Sequence, residues 1–256
     1  MPVPWSQAVL LFAAGIAGGL TGSIAGLASV ATYPALLLAG LPPVTANVTN
    51  TVALVGSSVG SVLGSRPELA GQGAALKRVL PFAAVGGVTG AALLLSTPAE
   101  GFEKVVPVLL GFASVAILLP VRPNRDMSAA SRRRRTLMLV LQGVAVFAIC
   151  IYGGYFGAAA GVLLLALFLR LSEATLAHAN ATKNVVLGLA NGVAAVIFAV
   201  VAPVQWVTVA ALGAGCLLGA RLGPVIVRHS PDKPLRVAIG LAGVALAVKL
   251  GFDAYS

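Results

Sequence analysis

Apolar residues run through this chain in long blocks, and the interruptions between blocks carry most of the information. Cutting at charges, prolines and polar clusters leaves about ten apolar segments, near 6–22, 26–40, 44–64, 77–96, 103–120, 136–151, 156–171, 174–200, 205–227 and 234–251. Each predicts a helix, because a segment in hydrocarbon must satisfy its own backbone hydrogen bonds. Several are shorter than the roughly 20 residues needed to span a bilayer. Segments one and two, and six and seven, therefore either cross fully or form hairpins that dip in and return, a bend tolerable only where protein covers it.

Glycines cluster at those bends. Gly15, Gly18, Gly19, Gly22 and Gly26 precede Pro34, and Gly153, Gly154, Gly157 and Gly161 occupy the matching region of the second half. They serve either close helix packing or broken helices at a binding site.

Composition sharpens the class. With 59% hydrophobic and 9% charged residues, against about 25% charged in soluble domains, the chain reads as an all-α polytopic membrane protein of about 8–10 helical segments, re-entrant or broken helices included. A globular enzyme with a large core is excluded, and no stretch is polar enough to fold as a separate soluble domain. The net charge of +10 does not indicate nucleic acid, since most Lys and Arg fall in short connections, where they set topology and meet anionic lipid heads. Cys150 and Cys216 lie within apolar stretches and suggest no disulfide framework. The opening MPVPWSQAVL lacks a basic region before its apolar run, so the first segment is expected to stay in place.

Against this background the stretch Pro42 to Ser58 stands out, carrying Thr45, Asn47, Thr49, Asn50, Thr51, Ser57 and Ser58. An unpaired amide or hydroxyl in hydrocarbon costs a few kcal/mol, so these groups are expected to face the interior and touch a solute. The stretch also repeats. Ala46-Asn47-Val48-Thr49-Asn50-Thr51-Val52 aligns with Ala179-Asn180-Ala181-Thr182-Lys183-Asn184-Val185, 133 positions on. Gly86-x-x-x-Gly90 matches Gly215-x-x-x-Gly219 at a separation of 129, as Lys104 and Gly111 match Lys233 and Gly240. The halves are 1–121 and 136–256, joined by a basic linker over 122–135 that holds Arg122, Arg125 and Arg132 to Arg135.

By the positive-inside rule that linker is cytoplasmic, with the basic connections at Arg66, Lys77 and Arg78 and at Arg228, Lys233 and Arg236 on the same side. The counterpart of the 66–78 connection, near Ala202 to Gln205, is uncharged and outside. Each half then crosses an odd number of times, which makes the two halves inverted repeats. Such repeats place a solute site near the midplane at their interface, where broken helices present backbone dipoles.

The candidate solute-binding residues are Asn47, Thr49, Asn50, Thr51 and Ser57 from the first half and Asn180, Thr182, Lys183, Asn184 and Asn191 from the second. Amides and hydroxyls replace part of a solute's hydration shell, or else they hydrogen-bond between helices. Lys183 stands where Asn50 stands in the first half. A cation at that depth favours an anion, unless it snorkels to the interface. Arg221 is a candidate gate or an interfacial anchor. His178 is a candidate pH-sensing or coupling residue or a helix-start partner, and Tyr152 is a further titrating candidate. Ser57 or Ser58 with His178 as base would make an intramembrane hydrolase, but a lone Gly-Ser is weak support. No metal-ligand set is present in the sequence, and no metal or cofactor is expected. A membrane scaffold using the Arg-rich linker is the non-transport alternative.

Gly40 to Leu54, GLPPVTANVTNTVAL, preceded by Tyr33-Pro34-Ala35-Leu36, closely resembles the first repeat of the TauE/SafE family of sulfite and organosulfonate exporters. Tyr152 to Leu167, YGGYFGAAAGVLLLAL, resembles its second-repeat signature, continued by Ala177 to Asn184 through Asn191, and Gly219-Ala220-Arg221-Leu222-Gly223 resembles its late glycine-arginine motif. Where the family usually has a run of glycines this chain reads Gly26-Leu27-Ala28-Ser29 and Ala158-Ala159-Ala160, so its pocket is expected to be narrower or differently shaped. The resemblance implies a secondary transporter that exports a small sulfur-containing anion across the bacterial inner membrane. A permease for another solute, with Lys183 snorkelling, is the alternative within transport. The sequence leaves the oligomeric state open.

Overall fold

The computed structural model describes residues 5–98, 132–157, 160–171 and 175–229, with isolated positions between 108 and 252. Apart from those isolated positions, the expected segments 103–120 and 234–251 lie outside the described residues, as do the linker residues 122–131 and the Lys104, Gly111, Lys233 and Gly240 matches.

Among the described residues the chain forms helices α1 (Trp5–Ala25), α2 (Ala28–Leu38), α3 (Pro43–Gly64), α4 (Arg66–Leu69), α5 (Gly73–Ser96), α6 (Arg132–Tyr155), α7 (Ala160–Leu171), α8 (Leu176–Val201) and α9 (Trp206–His229), and no strand. It is an all-α polytopic membrane fold. Arg132 to Arg135, expected in the linker, form the first turn of α6, as suits arginine's good helix propensity. The one-turn α4 was not foreseen.

The ends follow local chemistry. Pro43 opens α3, where its missing N–H would be unpaired anyway. Thr175 caps α8, its Oγ1 accepting from His178 N. α1 and α6 stop at Gly26 (φ +79) and just before Gly157 (φ +72), left-handed conformations that favour glycine.

Among the described residues five stretches are long and apolar enough to cross a membrane: α1, α5, Leu137–Tyr155 of α6, α8 and α9. Val9, Val85, Leu141, Val196 and Leu222 are among the apolar side chains left exposed on them, as lipid-facing surface requires. α2 and α7, with 11 and 12 residues, reach only about half of a 30 Å hydrocarbon core. α2 folds back along α1, since Gly22 faces Ala28 and Gly18 faces Thr32.

Glycine contacts fix the helix directions. Gly15 meets Leu212 and Cys216, Gly19 meets Cys216 and Ala220, and Gly223 meets Ser23, so α1 and α9 run parallel. Gly56, Gly60 and Gly64 of α3 meet Gly213, Leu217 and Arg221 of α9 in the same sense. α5 runs parallel to α6 through Gly86 with Phe147 and Gly90 with Ile151 and Tyr155. α8 runs antiparallel to α3, with Gly188 against Ser58 and Asn184 Nδ2 donating to Ser65 Oγ at 3.2 Å.

Helix spacing recurs. α3 begins at 43 and α8 at 176; α5 spans 73 to 96 and α9 spans 206 to 229, a separation of 133 throughout. That register pairs Gly86 and Gly90 with Gly219 and Gly223, one turn beyond the match read from sequence. The contacts agree, for Gly86 meets the Phe147 carbonyl as Gly219 meets the Ile16 carbonyl. Glycine recurs every four residues at 215, 219 and 223, which is why sequence alone slipped a turn.

Candidate solute site

The breaks after α1 and α6 meet in the middle of the bundle. A β-carbon at Gly26 would collide with the backbone of Gly161, and one at Gly161 with Gly26, so only hydrogen on both lets the hairpin tips touch. Beside this contact lies a cavity of about 30 Å³, lined by Ser23, Gly26, Ser57, Ser61, Asn184 and Asn191 among others. On that measure it holds roughly two waters.

Lys183 is 0% exposed, so it does not snorkel. Its Nζ donates to the carbonyls of Gly22 (3.0 Å) and Ser23 (3.2 Å), in the last turn of α1. Asn180 Nδ2 donates to the same Ser23 carbonyl at 2.9 Å. The Gly22 carbonyl also accepts from Gly26 N at 2.7 Å, and the helix end carries partial negative charge, which the ammonium and the amide answer.

The first-half cluster does the corresponding work at the other break. Asn47 Nδ2 donates to the Tyr155 carbonyl at 2.9 Å, at the end of α6. Asn50 Nδ2 turns instead to Ser29 Oγ, 3.0 Å away at the start of α2. Thr51 Oγ1 donates to the Asn47 carbonyl, and Thr49 Oγ1 accepts from Gln205 N at 3.2 Å, tying α3 to the start of α9.

Of the ten candidate binding residues, Ser57, Asn184 and Asn191 therefore line the cavity. Asn47, Asn180 and Lys183 cap the broken helices beside it, Asn50 braces α2, and Thr49 and Thr51 hold backbone. Thr182 Oγ1 bonds to Gln72 Oε1 and to the His178 carbonyl, toward the basic end. His178 is exposed, its Nδ1 2.8 Å from Thr175 Oγ1, a helix-start role. Arg221 is exposed on α9 and Tyr152 is half-buried. Ser61 and Ser23 of the lining were missed; Ser61 lies four residues after Ser57, on the same helical face, and that spacing was the signal.

At the basic end Glu68, 7% exposed, pairs with Arg228 through Nε (2.6 Å) and Nη2 (3.0 Å). The Arg228 guanidinium holds the Glu68 carboxyl below the usual carboxylate range, against the opposing effect of burial. Among the described residues Lys183 and Glu68 are the buried charged side chains, and only Glu68 has an oppositely charged partner.

Spanning helices, two half-length returns and a polar cavity at the tips of broken helices define the class: a multi-pass membrane transporter. The family model described as Sulfite exporter TauE/SafE matches residues 11–250, and the chain belongs to that family. It is 28% identical over 257 residues to "Probable membrane transporter protein YfcA" of Escherichia coli K12, across 100% of this chain and 93% of that one. It is 30% identical over 248 residues to "Probable membrane transporter protein ORF9" of Sinorhizobium sp, across 95% and 92%. A Haemophilus influenzae protein named "Probable membrane transporter protein" is 25% identical over 246 residues, across 95% and 94%. Among solved structures none matches at a significant level. The bacterial relatives and the five apolar helices agree on a multi-pass protein of the inner membrane.

Proposed function

We propose that this protein is a secondary transporter of a small sulfur-containing anion, such as sulfite or an organosulfonate, exporting it through two inverted halves. One observation carries the choice of an anion: Lys183, wholly buried and with no carboxylate partner among the described residues, sits on carbonyls of Gly22 and Ser23, two residues that also line the cavity. Its charge reaches the cavity at short range in a medium that screens weakly. The N-terminus of α2, where Leu27 supplies no side-chain cap and Ala28 lines the cavity, adds partial positive charge.

Inversion is supported by direction. α1, α3 and α9 run one way and their counterparts α6, α8 and α5 the other: α8 runs against α3 and alongside α5, with Gln72 at Thr182 and Gly87 at Ala190, and α5 is parallel to α6. The family's description supplies sulfite and the outward direction. A hydrolase is disfavoured, because Ser58 Oγ donates to the Leu54 carbonyl and His178 is exposed and bonded to Thr175.

The test is efflux of radiolabelled sulfite and of an organosulfonate from proteoliposomes, with competing anions and neutral solutes. Transport inhibited by oxyanions and lowered in Lys183→Gln, with the fold intact, supports the reading; unchanged flux in that variant counts against it.

A further inference from the structure

The break after α6 shares two features with the break after α1 and lacks a third. Each long helix ends at a positive-φ glycine, Gly26 or Gly157, and each last turn is capped across the molecule by an asparagine amide at 2.9 Å, Asn180 on Ser23 or Asn47 on Tyr155. α1 then receives the ammonium of Lys183. The residue in Lys183's place in the other half, 133 positions earlier, is Asn50, which is neutral and spends its amide nitrogen on Ser29. Among the described residues no cationic side chain is buried near α6's end.

Two buried acceptors lie on the stretch of α3 that reaches the end of α6 through Asn47. Asn47 Oδ1 and Asn50 Oδ1 are buried, on residues 0% and 1% exposed, and neither accepts a hydrogen bond among the described residues. The Tyr155 carbonyl can only accept, so it fixes the Asn47 amide with nitrogen toward α6 and oxygen free. Asn50 follows three residues later on the same face of α3, its Cβ about 5–6 Å away. Leaving such oxygens unpaired costs on the order of 1–3 kcal/mol each.

We propose that the end of α6, with Asn47 Oδ1 and Asn50 Oδ1, binds a monovalent cation, Na⁺, which stands where the Lys183 ammonium stands at the end of α1. The ligands are hard oxygens without formal charge, as the carbonyl ends of broken helices offer to Na⁺. Sites for Ca²⁺ or Mg²⁺ draw on carboxylates, and Glu68, the buried carboxylate among the described residues, is committed to Arg228. Gly157, two residues beyond Tyr155, lines the solute cavity as Gly22 and Ser23 do. The cation and Lys183 therefore flank the cavity from its two breaks, and Na⁺ binding is coupled to occupancy by an anion.

Cation binding is read without any solute, so its failure and the failure of the anion reading are distinguishable. Purified protein in detergent is melted at increasing NaCl, with choline chloride holding ionic strength constant. The melting temperature is expected to rise with NaCl and saturate, KCl being weaker. Asn50→Lys, which installs a covalent cation, is expected to melt high and lose the Na⁺ response. Asn50→Asp is expected to lower the half-saturating NaCl concentration by about tenfold, and it serves also if Asn50→Lys does not fold. Equal melting in NaCl and choline chloride overturns the proposal, as does an unchanged half-saturation point in Asn50→Asp or a retained response in folded Asn50→Lys.

Discussion

Lys183 and Gly22 are 161 positions apart in the chain, yet Nζ of one lies 3.0 Å from the carbonyl oxygen of the other. That bond joins the inner face of α8 to the last turn of α1 and so fixes where the first hairpin turns. Replacing the lysine by leucine keeps the apolar stem and removes the donor. Both α1 carbonyls lose the ammonium but keep another donor, Gly22 the Gly26 N–H and Ser23 the Asn180 amide, so Lys183→Leu should lower unfolding stability by about 1–3 kcal/mol, the net worth of hydrogen bonds to a charged group. Thermal melting in detergent measures this, and an unchanged midpoint would show that α1 ends without help from α8.

Gly26 and Gly40 share a left-handed backbone, φ +79 and +86, but not their surroundings. A β-carbon at Gly26 runs into the backbone of Gly161 and Val162, whereas at Gly40 nothing lies within 4 Å. Gly40→Ala should therefore cost only the conformational strain, roughly 1–2 kcal/mol. Gly26→Ala adds a backbone collision that no rotamer relieves, and it should abolish recovery of folded protein on size-exclusion chromatography. Equal yields of the two variants would contradict the tip-to-tip contact.

The contrast between these glycines marks the limit of sequence reading here. The order and approximate bounds of the described helices were legible, because apolar blocks and the prolines and polar clusters between them dictate where a chain in lipid turns. The polar residues of the candidate site were also legible, since Asn47, Asn180 and Lys183 are costly in such company. Their duties were not. Sequence suggested two clusters facing a common solute, whereas Asn47 and Asn180 each cap the broken helix of the opposite half. Nothing in local spacing reveals which carbonyl an amide will meet more than a hundred residues away. The same holds for Glu68 and Arg228, which look like two unrelated loop charges until α3 and α9 are seen to pack side by side.

That pair predicts an acid dependence. Arg228 lowers the Glu68 carboxyl relative to the unfolded chain, so the folded state binds its proton less readily. The stability this contributes is present above the ordinary carboxylate value and is lost as pH falls through the lowered folded value. Wild type should lose melting temperature on acidification over that window, while Glu68→Gln starts lower and lacks this part of the slope. With Arg228 partly exposed, the difference near neutrality should be about 1–2 kcal/mol. Parallel melting curves for the two proteins across the acid range would show that the pair does not hold α4 to α9.

Gly188 and Gly192 lie one turn apart on α8 and separate transport from folding. A β-carbon at Gly188 would stand 3.1 Å from Ser58 Cβ, and both residues line the cavity. At Gly192 nothing lies within 4 Å. Gly188→Ala narrows the cavity by one methyl group, and a methylene's worth of misfit in a shaped pocket is worth about tenfold or more. Solute flux in proteoliposomes should fall by about that factor while the melting temperature stays near that of wild type. Gly192→Ala, which supplies the same methyl to open space, should transport normally. If both variants transport alike, the space between Ser58 and Gly188 is not on the solute's path, and the path must run along another face of α8.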